Sequence, residues 1–319
     1  MENTTPVILL KTTNEKEILD TLKKTLEFLG FRSKGTVLVK PNICMPYYVP
    51  GAVTSPQLLR ELVGLLCKTA KDVIVAESDG YNYSCTVAFR KTGIETAVKS
   101  AGGRILNLSR DRIVRVNVKN SQIKNLLLPK TLLEVDALVN VPVMKTHEFT
   151  LYSGAIKNLF GLIPDNRRIF LHPYINETLY HLLTLPKSIA TIMDSLTAME
   201  GRGPTRGTPV KLNLIMASNS PLALDITATK IMRLNWREVR HLAYIAQKTG
   251  FKEETIKTLG CSIEEFARNF ALPKADLPAK LQHKIFQHEL LTRILFCNTG
   301  FIKLCQKVLN CYRKLPIAA

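Results

Sequence analysis

Apolar, β-branched runs alternate with capped, amphipathic stretches along most of this chain, and the alternation leaves few architectures open. Residues 36–42 (TVLVKPN) and 72–80 (DVIVAESDG) each begin as near-continuous apolar runs, as buried parallel strands do, and break off into polar residues. Between them, SPQLLRELVGLLCKTA offers Ser55 as an N-cap, Pro56 at the first helical position and apolar residues at helical spacing. Residues 7–11, RILNL, RIVRVNV, ATIMDSLTAMEG and LNLIMASN add strands. Residues 15–29, 86–100, 175–183 and a stretch beginning near Pro221 add helices. The expectation is an α/β fold: a doubly wound, mostly parallel sheet with helices on both faces.

The block VNVPVMKTHEFTLYSGAIKNLFGLIP, which starts at Val139, concentrates the chemistry. A buried strand releases Lys145 and His147 at its carboxyl end. Gly154 then opens a short helical pattern that carries Lys157 and Asn158 and closes at Gly161 and Pro164. Open α/β sheets place ligands at the carboxyl ends of their strands. Other predicted strands end in Lys40 and Asn42, and in Glu77, Ser78 and Asp79. One passes Asp194 before Glu200. Lys40, Lys145 and Lys157 are suited to neutralise a phosphate or carboxylate, with Asn42 and Asn158 supplying oriented hydrogen bonds. Gly154 would let backbone N–H groups and a helix dipole approach the same anion. The loop GRGPTRGTP adds Arg202 and Arg206.

Catalytic roles fall to His147 for proton transfer, with Lys145 and Asp79 beside it. Glu77, Asp79 and Asp194 are the candidates for a divalent metal, but no HExxH, CxxC pair or EF-hand spacing names the ion. Neither GxxxxGK[ST] nor a GxGxxG after a strand is present, so the standard nucleotide loops are absent.

The blocks VLVKPNI, GAVTSP, VIVAESDG, VPVMKTH with SGAIKNLFG, IMDSLTAMEGRGPTRGTP and LIMASNSPLALD, taken together and in order, resemble the "domain of unknown function 362" family. They run from about residue 36 to residue 230. The resemblance implies an α/β core without a firmly assigned reaction. It also implies a link to redox metabolism, because many relatives carry a ferredoxin-like segment for iron–sulfur clusters. This chain contains no CxxCxxCxxxC, so no cluster is expected in it.

A net charge of +18 over 319 residues is a statement about partners, not about fold. The cations are dispersed and accompany no nucleic-acid signature, so nucleic acid is not favoured. Seven scattered cysteines fit reduced thiols and a cytoplasmic protein. No stretch has the length and apolarity of a spanning helix.

The organisation expected is a core over residues 1–273 and a basic, amphipathic helical extension over residues 274–319. The extension carries eight Lys or Arg against two acids. Its apolar face would pack on its own core or a sister subunit in a homo-oligomer, or lie on an anionic membrane surface. The sequence thus supports an enzyme acting on an anionic small molecule at the sheet edge. The alternative is a non-catalytic accessory protein of a redox or membrane-associated system.

Overall fold

In a computed structural model the described residues are 4–296, apart from 15, 81–82 and 275; for 165–167 and 296 only the backbone is described. The first half runs β1 (Thr5–Lys11), α1 (Glu17–Phe28), β2 (Thr36–Pro41), α2 (Pro56–Leu66), β3 (Asp72–Glu77), α3 (Cys85–Lys91), α4 (Ile94–Ser100) and β4 (Arg104–Asn107). A hairpin, β5 (Ile113–Asn117) and β6 (Asn125–Pro129), stands apart as its own sheet, followed by α5 (Lys130–Glu134). Then come β7 (Ala137–Val141), β8 (Val143–His147), β9 (Leu151–Ser153), α6 (Ala155–Asn158), α7 (Ile175–Thr184), β10 (Ile189–Glu200) and β11 (Thr208–Ser218). The remainder is α8 (Pro221–Ile231), α9 (Arg240–Thr249), β12 (Ile256–Gly260), α10 (Leu277–Phe286) and α11 (Glu289–Phe296).

The main sheet is ordered β12-β1-β11-β10-β7-β2-β3-β4. The run from β10 through β7, β2 and β3 to β4 is parallel throughout, and β11 alone on this path runs against its neighbours. Period-two alternation splits the core. Val37 and Val39 pack on the side of α1 and α2, while Leu38 packs on the side of α7, α8 and α9. Both faces are covered, which is why the central strands read as unbroken apolar runs. Truncating a side chain as enclosed as Leu38 to alanine should cost about 2–5 kcal/mol.

Two elements differ from the sequence expectation. The helix expected over residues 86–100 is two helices, because Gly93 takes a left-handed φ of 79° between them. The strand leading to His147 is also interrupted. Pro142 offers no N–H to a ladder, so β7 ends at Val141. β8 then leaves the path of the sheet, pairing with the later part of β10 and with β9. That detour carries Lys145 and His147 beyond the edge where β2 and β3 end.

The extension begins as structure that packs on the core. Phe286 of α10 is buried against Phe149 and His172, Arg202 bonds Asp276 at 2.7 Å, and the Tyr174 hydroxyl meets Glu289. The rest of the expected extension, residues 297–319, lies outside the described residues. No helix among the described residues is long and apolar enough to cross a membrane.

Candidate active site

A cavity of about 550 Å³ opens at the carboxyl edge of the parallel strands, within the range of small-molecule sites. Its walls bring together Lys40, Asn42, Lys145, His147, Lys157 and Asn158 from the sequence prediction, with Glu77. They also carry Arg202 and Arg206 from the glycine-rich loop. Asp79, Gly154 and Asp194 are not part of its lining.

The cations differ in what they already hold. Lys40 is enclosed and paired, its Nζ donating to Glu77 at 2.6 Å, to the Pro41 carbonyl at 2.7 Å and to Asn158 at 3.4 Å. Gly161 is needed beside this pair, since a Cβ there would lie 2.6 Å from Glu77 and 2.8 Å from Lys40 Nζ. Lys145 is only 1% exposed but meets no carboxylate among the described residues; its Nζ donates to the Ala52 carbonyl at 2.9 Å and to Cys44 Sγ at 3.5 Å. Lys157 is half-buried, with its Nζ 4.8 Å from the centre of the Phe160 ring. Desolvation, then Arg168 and Lys145, bring its ammonium down from 10.5 to about 7.

The same environment keeps His147 neutral. Burial, then Lys157 and Lys145, hold it well below its ordinary value. The Phe149 backbone N–H donates to His147 Nδ1 at 3.1 Å, so the neutral ring carries its proton on Nε2. The two asparagines are occupied internally. Asn42 donates to the Ala52 carbonyl at 2.5 Å; Asn158 donates to Asn140 at 2.8 Å and to the Lys40 carbonyl at 3.2 Å. They brace the wall, Asn42 through the Ala52 backbone and Asn158 through Asn140 and the Lys40 backbone.

Three expectations are corrected by these contacts. The amide donors that follow Gly154 are taken: Ala155 and Ile156 N–H donate to Asp225 at 2.6 and 2.9 Å, and the Tyr152 hydroxyl joins at 2.8 Å. A Cβ on Gly154 would meet Tyr152 Oη at 2.0 Å and Asp225 at 2.3 Å, so the glycine serves an internal anion. Asp79 caps α3 through the Cys85 N–H at 2.7 Å and accepts from Asn107 at 2.9 Å, so its carboxylate braces α3 and β4 outside the cavity lining. Asp194 accepts from Ser55 and Leu196 N–H and lines a separate cavity of about 230 Å³. Glu77, Asp79 and Asp194 therefore do not converge. Among the described residues no three of His, Cys, Asp and Glu are arranged to hold a metal ion.

Sequence reasoning missed Cys44, Arg168 and His172. Arg168 and His172 sit in a 3₁₀ segment, Asp165–Tyr174, that follows no strand. The Arg168 guanidinium donates to the Asp79 carbonyl, and His172 Nδ1 lies 3.1 Å from the Arg168 carbonyl. The signal available in the sequence was the clustering of Arg167, Arg168 and His172 directly after the Lys157 block.

With this geometry in hand, comparison with known proteins adds three findings. The family described as "Domain of unknown function (DUF362)" matches residues 37–230. A thylakoid-associated protein of Synechocystis sp. is 27% identical over 232 residues, covering 68% of this chain and 71% of that protein. Two solved structures are similar in part. The lactate racemase apoprotein of Thermoanaerobacterium thermosaccharolyticum has 15% identity and a TM-score of 0.45, covering 73% of this chain and 58% of that one. A Thermotoga maritima protein has 14% identity and a TM-score of 0.36, covering 76% and 60%. The chain thus spans about three fifths of the length of these two solved chains.

Proposed function

The chain belongs to the DUF362 family, and from that premise we propose that it is an enzyme whose cavity binds an anionic small molecule and moves a proton on it. One observation carries the reading. Among the described residues, Lys145 and Lys157 face one cavity without a carboxylate partner, whereas Lys40, on the same wall, has Glu77. Sequestered ammonium groups without counterions disfavour the empty state, and a phosphate or carboxylate supplies the missing charge.

The roles follow from the local environments. Lys145, Lys157 and Arg168 hold the anion. His147 offers a neutral Nε2–H donor. Lys157 is the proton-transfer group, because an amine brought down to about 7 exchanges its proton near neutrality. His147, held far below its ordinary value, is a poor base in the empty cavity.

The test is direct. Candidate carboxylates and phosphate esters are incubated with the protein in D₂O, and solvent-derived deuterium is followed by NMR. Titration calorimetry with inorganic phosphate and acetate runs alongside. Deuterium incorporation that Lys157→Met abolishes supports the reading; no binding of either anion to the folded protein would defeat it.

A second reading concerns location. On α10 and α11, Leu277, Leu281, Leu290, Leu291 and Ile294 are exposed, Leu277 to 72%, and Lys280, Lys284 and Arg293 are interspersed with them. We propose an anionic lipid surface as their partner, because apolar side chains flanked by cations match its acyl boundary and headgroups. That the Synechocystis relative is a thylakoid-associated protein favours this. Salt-sensitive co-sedimentation with phosphatidylglycerol vesicles tests it, and indifference to such vesicles at low salt would reject it.

A further inference from the structure

Beside the cation-lined cavity lies a second chamber of about 400 Å³, and Glu148 and His172 line both. Its other walls include Phe149, Phe286, His283 and His241. The rings are arranged as flat faces. Phe149 and His283 stack at 5.8 Å and 12°, His172 and Phe286 at 4.3 Å and 23°, and Phe149 meets Phe286 edge-on at 6.1 Å.

One wall residue is out of balance. His241, near the start of α9, is 1% exposed, and neither ring nitrogen has a hydrogen-bond partner among the described residues. Buried polar groups are nearly always paired, and each unmade bond carries the desolvation penalty of its group. Burial and Lys157 push this imidazole down to about 3, so it is a neutral ring with one donor and one acceptor. The Lys157 charge also depresses His147 and His172, which places it within electrostatic reach of both chambers.

We propose that this chamber is the second half of the ligand site: it takes a planar aromatic or heteroaromatic ring joined to the anionic group, and His241 recognises a donor or acceptor on the edge of that ring. The inference rests on the anion reading of the first cavity and deepens it by naming a substrate class. Aromatic faces receive the ring by stacking, and a neutral imidazole accommodates an edge donor and an edge acceptor alike.

Calorimetry on the full chain with inorganic phosphate, benzyl phosphate and pyridoxine 5′-phosphate tests the inference, with acetate and phenylacetate as a carboxylate arm. Benzyl phosphate should bind up to about tenfold more tightly than inorganic phosphate, from ring stacking. Pyridoxine 5′-phosphate should gain a further factor of about three to ten from the edge bond. His241→Leu should erase only that second gain, with melting no lower than in the unaltered chain, since it deletes two unmade bonds. Phe149→Ala should erase the first gain as well, with phosphate affinity retained. If His241→Leu does not fold, His241→Phe serves in its place. Phosphate binding with no gain from either ring would overturn the inference and leave the anion reading standing. Failure of all five probes to bind would sink both.

Discussion

Two places in this molecule look alike in sequence and are opposites in structure. One is the start of α6, where Gly154 and the following amides form an anion site. The other is the cavity wall formed by Lys145, Lys157 and Arg168. At α6 the chain supplies its own carboxyl group: Asp225, whose pKa burial raises from 3.8 to about 7, accepts from two backbone amides and a tyrosine hydroxyl. Along the cavity wall, Lys145 and Lys157 have no such partner among the described residues. The first arrangement is satisfied and structural. The second is incomplete until something enters, and the difference lies in where a carboxylate some 70 residues away happens to fold.

The largest expected effect comes from emptying the filled site. Asp225→Ala leaves the Ala155 and Ile156 N–H groups and the Tyr152 hydroxyl without their acceptor in the core. Each stranded donor costs about 1–3 kcal/mol, so a loss of about 3–5 kcal/mol is expected in urea denaturation. A loss under about 1 kcal/mol would mean that Asp225 is not the counterpart of the α6 amides, and the comparison would break.

The reverse holds at the cavity. Lys157→Met removes an ammonium that lacks a counterion, so ligand-free stability should be unchanged or higher. Anion affinity should fall by about 1–3 kcal/mol with the loss of a charge-assisted bond. Lys145→Met should behave likewise. A variant destabilised with anion affinity intact would show that these lysines belong with Asp225, as structure.

Titration sharpens the same contrast. The Lys157 ammonium is held at about 7 in the folded chain, below its ordinary 10.5. Across that window the unfolded chain binds the extra proton at this group, so the Lys157 contribution to ligand-free stability rises as pH climbs from about 7 to 10.5 and its full penalty applies below about 7. Anion binding needs the ammonium, so affinity should fall above about pH 7, by up to about tenfold per unit. Calorimetry at several pH values reads the slope, and Lys157→Met should flatten it. An unchanged slope in that variant would assign the proton to another group.

Much of this fold was legible because its strands are buried on both faces: Val37, Leu38 and Val39 read as one apolar run and serve two cores. Lys40, Lys145 and His147 were legible because strand ends in a parallel sheet share an edge, and Lys157 because its short helix follows directly on that edge. What sequence could not show was partner choice. Asp79 follows the end of β3 just after Glu77, and Asp194 lies within β10, yet one caps α3 and the other meets Ser55 and Leu196, contacts set by how α2 and α3 dock. Arg168 and His172 were invisible for the converse reason: they reach the cavity from a 3₁₀ segment that no strand introduces. Pro142, which redirects β8, looked like an ordinary residue within one long strand.

Arg202 is an intermediate case and gives the smallest expected effect. It lines the cavity, as Lys157 does, but already faces carboxylates: Asp276 at 2.7 Å and Glu148 at 3.6 Å. It is also about one-third exposed, so water screens whatever charge those partners leave over. If the absence of an internal counterion is what commits a cation to the ligand, Arg202→Ala should weaken inorganic phosphate binding by less than about 1 kcal/mol and stability by a similar amount. Calorimetry and urea denaturation on this variant, set beside Lys157→Met, measure the two kinds of cation on one wall. An Arg202 effect as large as that of Lys157 would show that proximity to the cavity, rather than a missing partner, decides which residues hold the anion.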